Sequence, residues 1–209
     1  HRPGTSLLCV ENTHNSKGGT AVPVDEIAAA AEAARDHGVS VHLDGARLFN
    51  AAAALDVPAS DIVAPVDTVM FCLSKGLGAP VGSILAGPES FIEEARRVRK
   101  LFGGGMRQAG MIAAPGLLAL DNRTRLHEDH ANAQLLADGL RDIDGLGVSD
   151  PDTNIVLVDT DGPAETFLDA LDAEGVQASR FGPEQVRFCT HWDVDERDVE
   201  TAIAAADSI

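Results

Sequence analysis

The chain has 209 residues, 33 acidic against 16 basic, and a formal net charge of −17. That length allows one large domain or two small ones with a substantial core. A hydrophobic fraction of 44% excludes a disordered acidic tail. The acidic excess excludes a nucleic-acid partner, which requires a basic face to displace counterions from phosphate.

Lys17, Lys75 and Lys100 are the only lysines; the other 13 basic residues are arginines. An acidic, lysine-poor surface suits a salt-rich cytoplasm, where self-repulsion is screened, and equally an ordinary acidic cytosolic protein. Cys9, Cys72 and Cys189 stand in the runs LLCVE, MFCLS and RFCTH without metal-ligand spacing. They read as reduced core cysteines, and no metal site is expected. No apolar run reaches membrane-spanning length, so a cytoplasmic protein with no membrane partner is expected.

In chain order, Ser6 to Glu11 predicts a buried strand and Thr13 to Thr20 a loop. Pro23 sits at a helix start, and Ile27 to His37 is Ala-rich and helical, stopped by Gly38. Val39 to Leu43, Val66 to Leu73 and Val81 to Ala86 predict strands, and Phe91 to Phe102 a helix with a basic second half. Gly103 to Gly105 predicts a tight turn rather than a phosphate cradle, since P-loop spacing is absent. Met111 to Leu120 and Arg123 to Leu140 predict helices, with Pro115 and Asp121-Asn122 marking a bend or domain boundary. A strand (Asn154 to Val158), a helix (Ala164 to Glu174), a strand (Val186 to Thr190) and a helix from Asp195 complete the chain. This alternation implies α/β layers, mostly parallel at first, followed by a small α+β domain: residues 1–122 and 123–209.

Ligands bind such folds at the carboxyl ends of parallel strands, where two motifs stand out. In Val41-His-Leu-Asp44-Gly-Ala-Arg47, an Asp ends an apolar strand and is expected to be partly buried. A salt bridge to Arg47 is the structural alternative. In Phe71-Cys-Leu-Ser74-Lys75-Gly-Leu-Gly, a lysine opens a glycine-rich loop. An amine in an apolar pocket becomes a nucleophile able to form a Schiff base, and a surface lysine is the alternative. Together, a strand-end Asp and a Ser-Lys 31 residues later suit pyridoxal phosphate. The lysine would hold the aldehyde and the carboxylate would keep the pyridine nitrogen protonated.

HLDGAR, Glu11-Asn-Thr-His-Asn15, LSKGLGAPVGS, Gly103-Gly-Gly-Met-Arg-Gln-Ala-Gly110 and Val186-Arg-Phe-Cys-Thr-His-Trp-Asp-Val194 occur in that order. Together they resemble the low-specificity L-threonine aldolase family. The resemblance implies a partial aspartate-aminotransferase-like (fold type I) large domain plus a small C-terminal domain. It also implies aldol cleavage of threonine to glycine and acetaldehyde, with pyridoxal phosphate as cofactor and a small amino acid as substrate. On the same resemblance Lys75 is the Schiff-base lysine, preceded by Ser74 at the cofactor, and Asp44 is the partner of the pyridine nitrogen. Arg47 and Arg187 match arginines that hold the substrate carboxylate. Lys100 and Arg107 fall on family positions near the active site, as phosphate or substrate contacts. His14, which follows a strand, is expected to line the pocket at the substrate, and His191 lies close to Arg187. His1 matches a histidine near the substrate hydroxyl. A homodimer or homotetramer is implied, with Met111 to Leu120 as interface or core. The chain begins partway into the family pattern, so an incomplete enzyme with an uncovered sheet edge is expected. A related β-eliminating lyase and an inactive fragment are the competing readings.

Overall fold

A computed structural model describes residues 4–209. The chain forms two compact units. The first holds the described residues up to Thr13 together with Val22–Thr124; the second holds His14–Ala21 and Arg125–Ile209.

The first unit is built on a four-stranded sheet in the order β1 (Leu7–Glu11), β2 (Ser40–Asp44), β3 (Thr68–Cys72), β4 (Ser83–Ala86). The first three strands are parallel and β4 is antiparallel. Helix α1 (Val24–Asp36) starts after Pro23 with Asp25 and Glu26 in its first turn, where the helix dipole favours negative charge. Its Ile27, Ala31 and Ala34 share one face and are buried, and Gly38 (φ 67°) ends the turn that follows. Val41 and Leu43 of β2 are fully buried, while Ile27, Leu48, Ile62 and Val69 complete the core beside Leu43.

Between β2 and β3 lie α2 (Leu48–Leu55) and α3 (Ala59–Val63), a stretch without a sequence-based assignment. After α4 (Glu89–Leu101), α5 runs from Gly110 to Asp121 with Pro115 inside it, so of the predicted bend or boundary it is the Asp121-Asn122 step that ends the helix, close to the end of the first unit at Thr124. Strand β1 lies at the sheet edge with Leu7 and Cys9 exposed, so it is not the buried strand its apolar run predicts. The cysteines are likewise not core residues. Cys9 is exposed, and Cys72 and Cys189 are half-buried near strand ends.

The second unit packs α6 (Leu126–Arg141), α7 (Ala164–Ala173) and α8 (Glu196–Asp207) on an antiparallel sheet. The sheet order is β5 (Leu146–Val148), β6 (Ile155–Thr160), β8 (Gln185–Cys189), β7 (Ser179–Gly182). Leu140, Val156, Val158, Leu171, Val186 and Val199 form its core. Asp195 caps α8 by accepting from the Arg197 and Asp198 amides, and Asp198 returns the bond to the Asp195 amide. No helix among the described residues is long and apolar enough to cross a membrane.

Candidate active site

The register of the parallel strands brings Glu11, Asp44 and Met70 side by side near the carboxyl edge of the first sheet. There the Asp44 carboxylate accepts the Ala46 amide proton at 3.1 Å, and its backbone carbonyl accepts from Asn12 at 2.9 Å. The buried Asn12 side chain pairs with the Val22 backbone in both directions at 3.0 Å. Asp44 is exposed, not partly buried as the apolar strand ahead of it predicts. Its strand is buried, but the carboxylate stands past the last packed residue, Leu43.

The turn after Asp44 is stitched to β3. The Gly45 amide donates to the Met70 carbonyl at 2.9 Å, and the Cys72 amide to the Ala46 carbonyl at 3.3 Å. A Cβ on residue 45 would lie 2.9 Å from that Met70 oxygen and 3.1 Å from Leu48 Cβ. Only glycine lets these backbones approach so closely. Gly45→Ala is therefore expected to cost about 1–3 kcal/mol, read by chemical denaturation. An unchanged denaturation midpoint would contradict the close approach.

Lys75 follows β3 in a loop whose amides are paired internally. Gly78 donates to the Lys75 carbonyl at 2.8 Å, Ala79 to Leu73 at 2.9 Å, and Leu73 to Gly82 at 2.9 Å. Asn122 Nδ2 donates to the Leu77 carbonyl at 2.7 Å. Leu73, Leu77 and Ala79 are buried while Ser74 and Lys75 are exposed, so the loop is anchored by apolar residues and presents the Ser-Lys pair outward. Lys75 does not sit in an apolar pocket. It lines one narrow cleft with Arg47, Asn50, Cys72 and Gly76, and Arg47 is half-buried at the start of α2.

Lys100 lies in the last turn of α4, and Arg107 is exposed beyond it. The glycine run between them is a tight turn. The Gly103 and Gly104 amides close on Lys100 and Arg99 carbonyls, and a Cβ on residue 105 would meet Lys100 Cδ at 2.7 Å.

Arg187 sits in the middle of β8 in the second unit. Its Nη1 donates to Asn15 Oδ1 at 3.2 Å, its guanidinium carbon is 5.7 Å from the Phe181 ring centroid, and its Nε is buried with no hydrogen-bond partner among the described residues. His14, beside Asn15, bridges to Thr20, and its Nδ1 is 3.5 Å from Ser16 Oγ. His191 is exposed, and its Nδ1 accepts the Asp193 amide at 3.3 Å. His1 lies outside the described residues. The first unit thus gathers Asp44, Arg47, Ser74 and Lys75 at one sheet edge, and the second unit carries Arg187 and His14. Asn15 and Phe181, which hold Arg187, have no assigned role in the sequence reading, although Asn15 lies in the Glu11–Asn15 motif.

Residues 1–163 match the beta-eliminating lyase family. The chain belongs to that family. It is 43% identical over 209 residues to low-specificity L-threonine aldolase 1 of Arabidopsis thaliana, a match covering 97% of this chain and 58% of that protein. It is 40% identical over 206 residues to the low specificity L-threonine aldolase of Escherichia coli K12, covering 98% and 60%. The chain thus spans about three-fifths of the length of the curated relatives it matches.

Among solved structures, the Leishmania major threonine aldolase superposes with a TM-score of 0.76 at 20% identity, covering 97% of this chain and 60% of that one. A methionine gamma lyase from Micromonospora echinospora superposes at 0.70 with 18% identity, covering 100% and 66%. These likenesses show the fold, which is the mostly parallel α/β architecture of the fold type I pyridoxal-phosphate enzymes. Threonine aldolases and beta-eliminating lyases depend in general on pyridoxal phosphate.

Proposed function

We propose that the protein is a pyridoxal-phosphate-dependent aldolase that cleaves L-threonine and L-allo-threonine to glycine and acetaldehyde. The observation that carries this reading is the pairing of an amine and a carboxylate, Lys75 and Asp44, at the carboxyl ends of neighbouring parallel strands in a member of the beta-eliminating lyase family. The donor set suits the cofactor. Lys75 has an exposed amine on an anchored loop to which the aldehyde can attach, and Asp44 has an exposed carboxylate able to hold a proton on the pyridine nitrogen. When bound, the cofactor supplies an electron sink for the pair released at Cα.

The chain's own residues do the rest. Lys75 fixes the cofactor in place and Asp44 keeps its ring protonated, with Ser74 adjoining. Arg47 and Arg187 take the substrate carboxylate, which a planar guanidinium grips through two parallel hydrogen bonds. Lys100, Arg107 and His14 provide further substrate contacts. In the reaction the substrate hydroxyl loses its proton, the Cα–Cβ bond breaks to release acetaldehyde, and Cα takes a proton to become glycine. Residues 1–122 are assigned to the cofactor-binding large domain and 123–209 to the small domain, in a homodimer or homotetramer.

Product analysis tests the reading. Glycine and acetaldehyde in equal amounts from L-threonine are expected. Pyruvate and ammonia from a substrate with a leaving group at Cβ, without glycine, would assign a β-eliminating lyase instead. No turnover with the cofactor present would leave an inactive member of the family.

A further inference from the structure

We propose that Asn15 is a positioning residue: it holds the Arg187 guanidinium in the orientation that receives the substrate carboxylate, with Phe181 supporting the guanidinium plane. The identity of the ligand rests on the aldolase reading; the support of Arg187 rests on geometry within the second unit.

An arginine side chain is long and flexible, and it grips a carboxylate well only where its planar fork is fixed beforehand. Arg187 is fixed by two contacts. Asn15 Oδ1 accepts from Nη1 at 3.2 Å, and the Phe181 ring lies 5.7 Å from the guanidinium carbon. Asn15 engages only Nη1 among the guanidinium nitrogens, and the buried Nε has no partner among the described residues.

Asn15 is itself held. It opens a 3-10 turn, Asn15–Lys17, closed by the Gly18 amide on the Asn15 carbonyl at 3.2 Å and by the Lys17 and Gly19 amides on His14 at 3.1 Å. The buried Thr153 hydroxyl donates to the Gly19 carbonyl at 2.8 Å, and the Ala21 amide to Asp152 Oδ2 at 3.3 Å. Gly19 has φ 76°, and a Cβ there would lie 2.5 Å from Thr153 Oγ1, so this clamp requires glycine. A segment from the early part of the chain is thus fastened to the unit that carries Arg187, and Asn15 is the side chain it delivers.

The choice of an amide is informative. A neutral acceptor orients the guanidinium and leaves its whole positive charge for the ligand. A carboxylate at the same position would hold Arg187 more strongly but neutralise it, competing with the substrate. A purely structural contact would be satisfied, or improved, by the carboxylate.

The test uses the natural protein loaded with pyridoxal phosphate, with variants Asn15→Ala, Asn15→Asp, Arg187→Lys and the double variant Asn15→Ala/Arg187→Lys. KM and kcat for L-threonine are measured together with the glycine dissociation constant, the cofactor dissociation constant and Tm. Asn15→Ala is expected to raise KM and the glycine constant about tenfold, with kcat and cofactor affinity nearly unchanged. Asn15→Asp raises them further without lowering Tm. The double variant binds glycine no worse than Arg187→Lys alone, because Asn15 acts through Arg187.

Additive effects in the double variant, or an Asn15→Asp protein that binds glycine like the natural one, overturn the proposal. A natural protein that binds glycine and cleaves threonine, with both Asn15 variants matching it, overturns the positioning role alone. A natural protein that does neither overturns the aldolase reading and this proposal with it.

Discussion

Replacing Lys75 by alanine is expected to abolish the cleavage of L-threonine, lowering kcat by about a thousandfold or more, the scale of loss for a group acting on the reacting atoms. The fold should not change with it. Lys75 is exposed, and the loop around it is held by the backbone pairs of Leu73, Gly78 and Ala79 and by Asn122 on the Leu77 carbonyl. Surface substitutions of this kind stay within about 0.5 kcal/mol. Loss of activity with an unchanged denaturation curve is the predicted pair of results. Retained turnover would remove Lys75 from the chemistry, and joint loss of activity and fold would make it structural.

The second large effect is on stability. Asp129 is fully buried in α6, and its Oδ1 accepts from Arg125 Nη2 at 2.9 Å. Arg125 also stands over the Trp192 ring at 4.4 Å. The Asp129 carbonyl accepts the Thr190 hydroxyl at 2.5 Å, which ties α6 to the residue that follows β8. Asp129→Ala leaves the partly buried Arg125 with only the exposed Glu128 at 3.4 Å as counter-charge, and a cost of about 1–3 kcal/mol is expected in chemical denaturation. A double replacement of Arg125 and Asp129 by apolar residues of similar volume should recover most of it, since burial of the pair carries its own desolvation cost.

Burial also raises the Asp129 carboxyl above the ordinary carboxylate range, against the pull of Arg125. A raised folded-state pKa means the folded protein retains the proton longer than the unfolded chain does. That contribution is complete below the ordinary value of 3.8 and is lost as pH rises through the raised one. Asp129→Asn should therefore remove this fall in stability with rising pH, which pH-dependent denaturation of the two proteins compares. A cost for Asp129→Ala below about 1 kcal/mol would show that Arg125 finds other compensation.

Where the local pattern was strong, sequence and structure agree. The Ala-rich stretch before Gly38 is α1, and the strand that ends in Asp44 has Val41 and Leu43 in the core, because a period of two and a face of small apolar residues are local properties. The stretch Leu48 to Leu55 is apolar apart from Asn50, so α2 carries no alternation of polar and apolar faces to read. Strands β5 and β7 are short and contain glycine, which weakens the same signal. Lys75 and Asp44 stood out because they follow apolar strands. Their exposure did not, since it depends on what the rest of the chain lays over the strand ends. The contact of Asn15 with Arg187 joins residues 172 apart, and no local pattern encodes it.

The most direct test of the account follows from a chain with only three lysines. The natural protein is incubated with pyridoxal phosphate, reduced with borohydride to make the cofactor's link to nitrogen permanent, and mapped by peptide mass spectrometry. The account predicts a pyridoxyl group on Lys75 and none on Lys17 or Lys100. A label on either of those two residues in place of Lys75, or on none of the three, would contradict it.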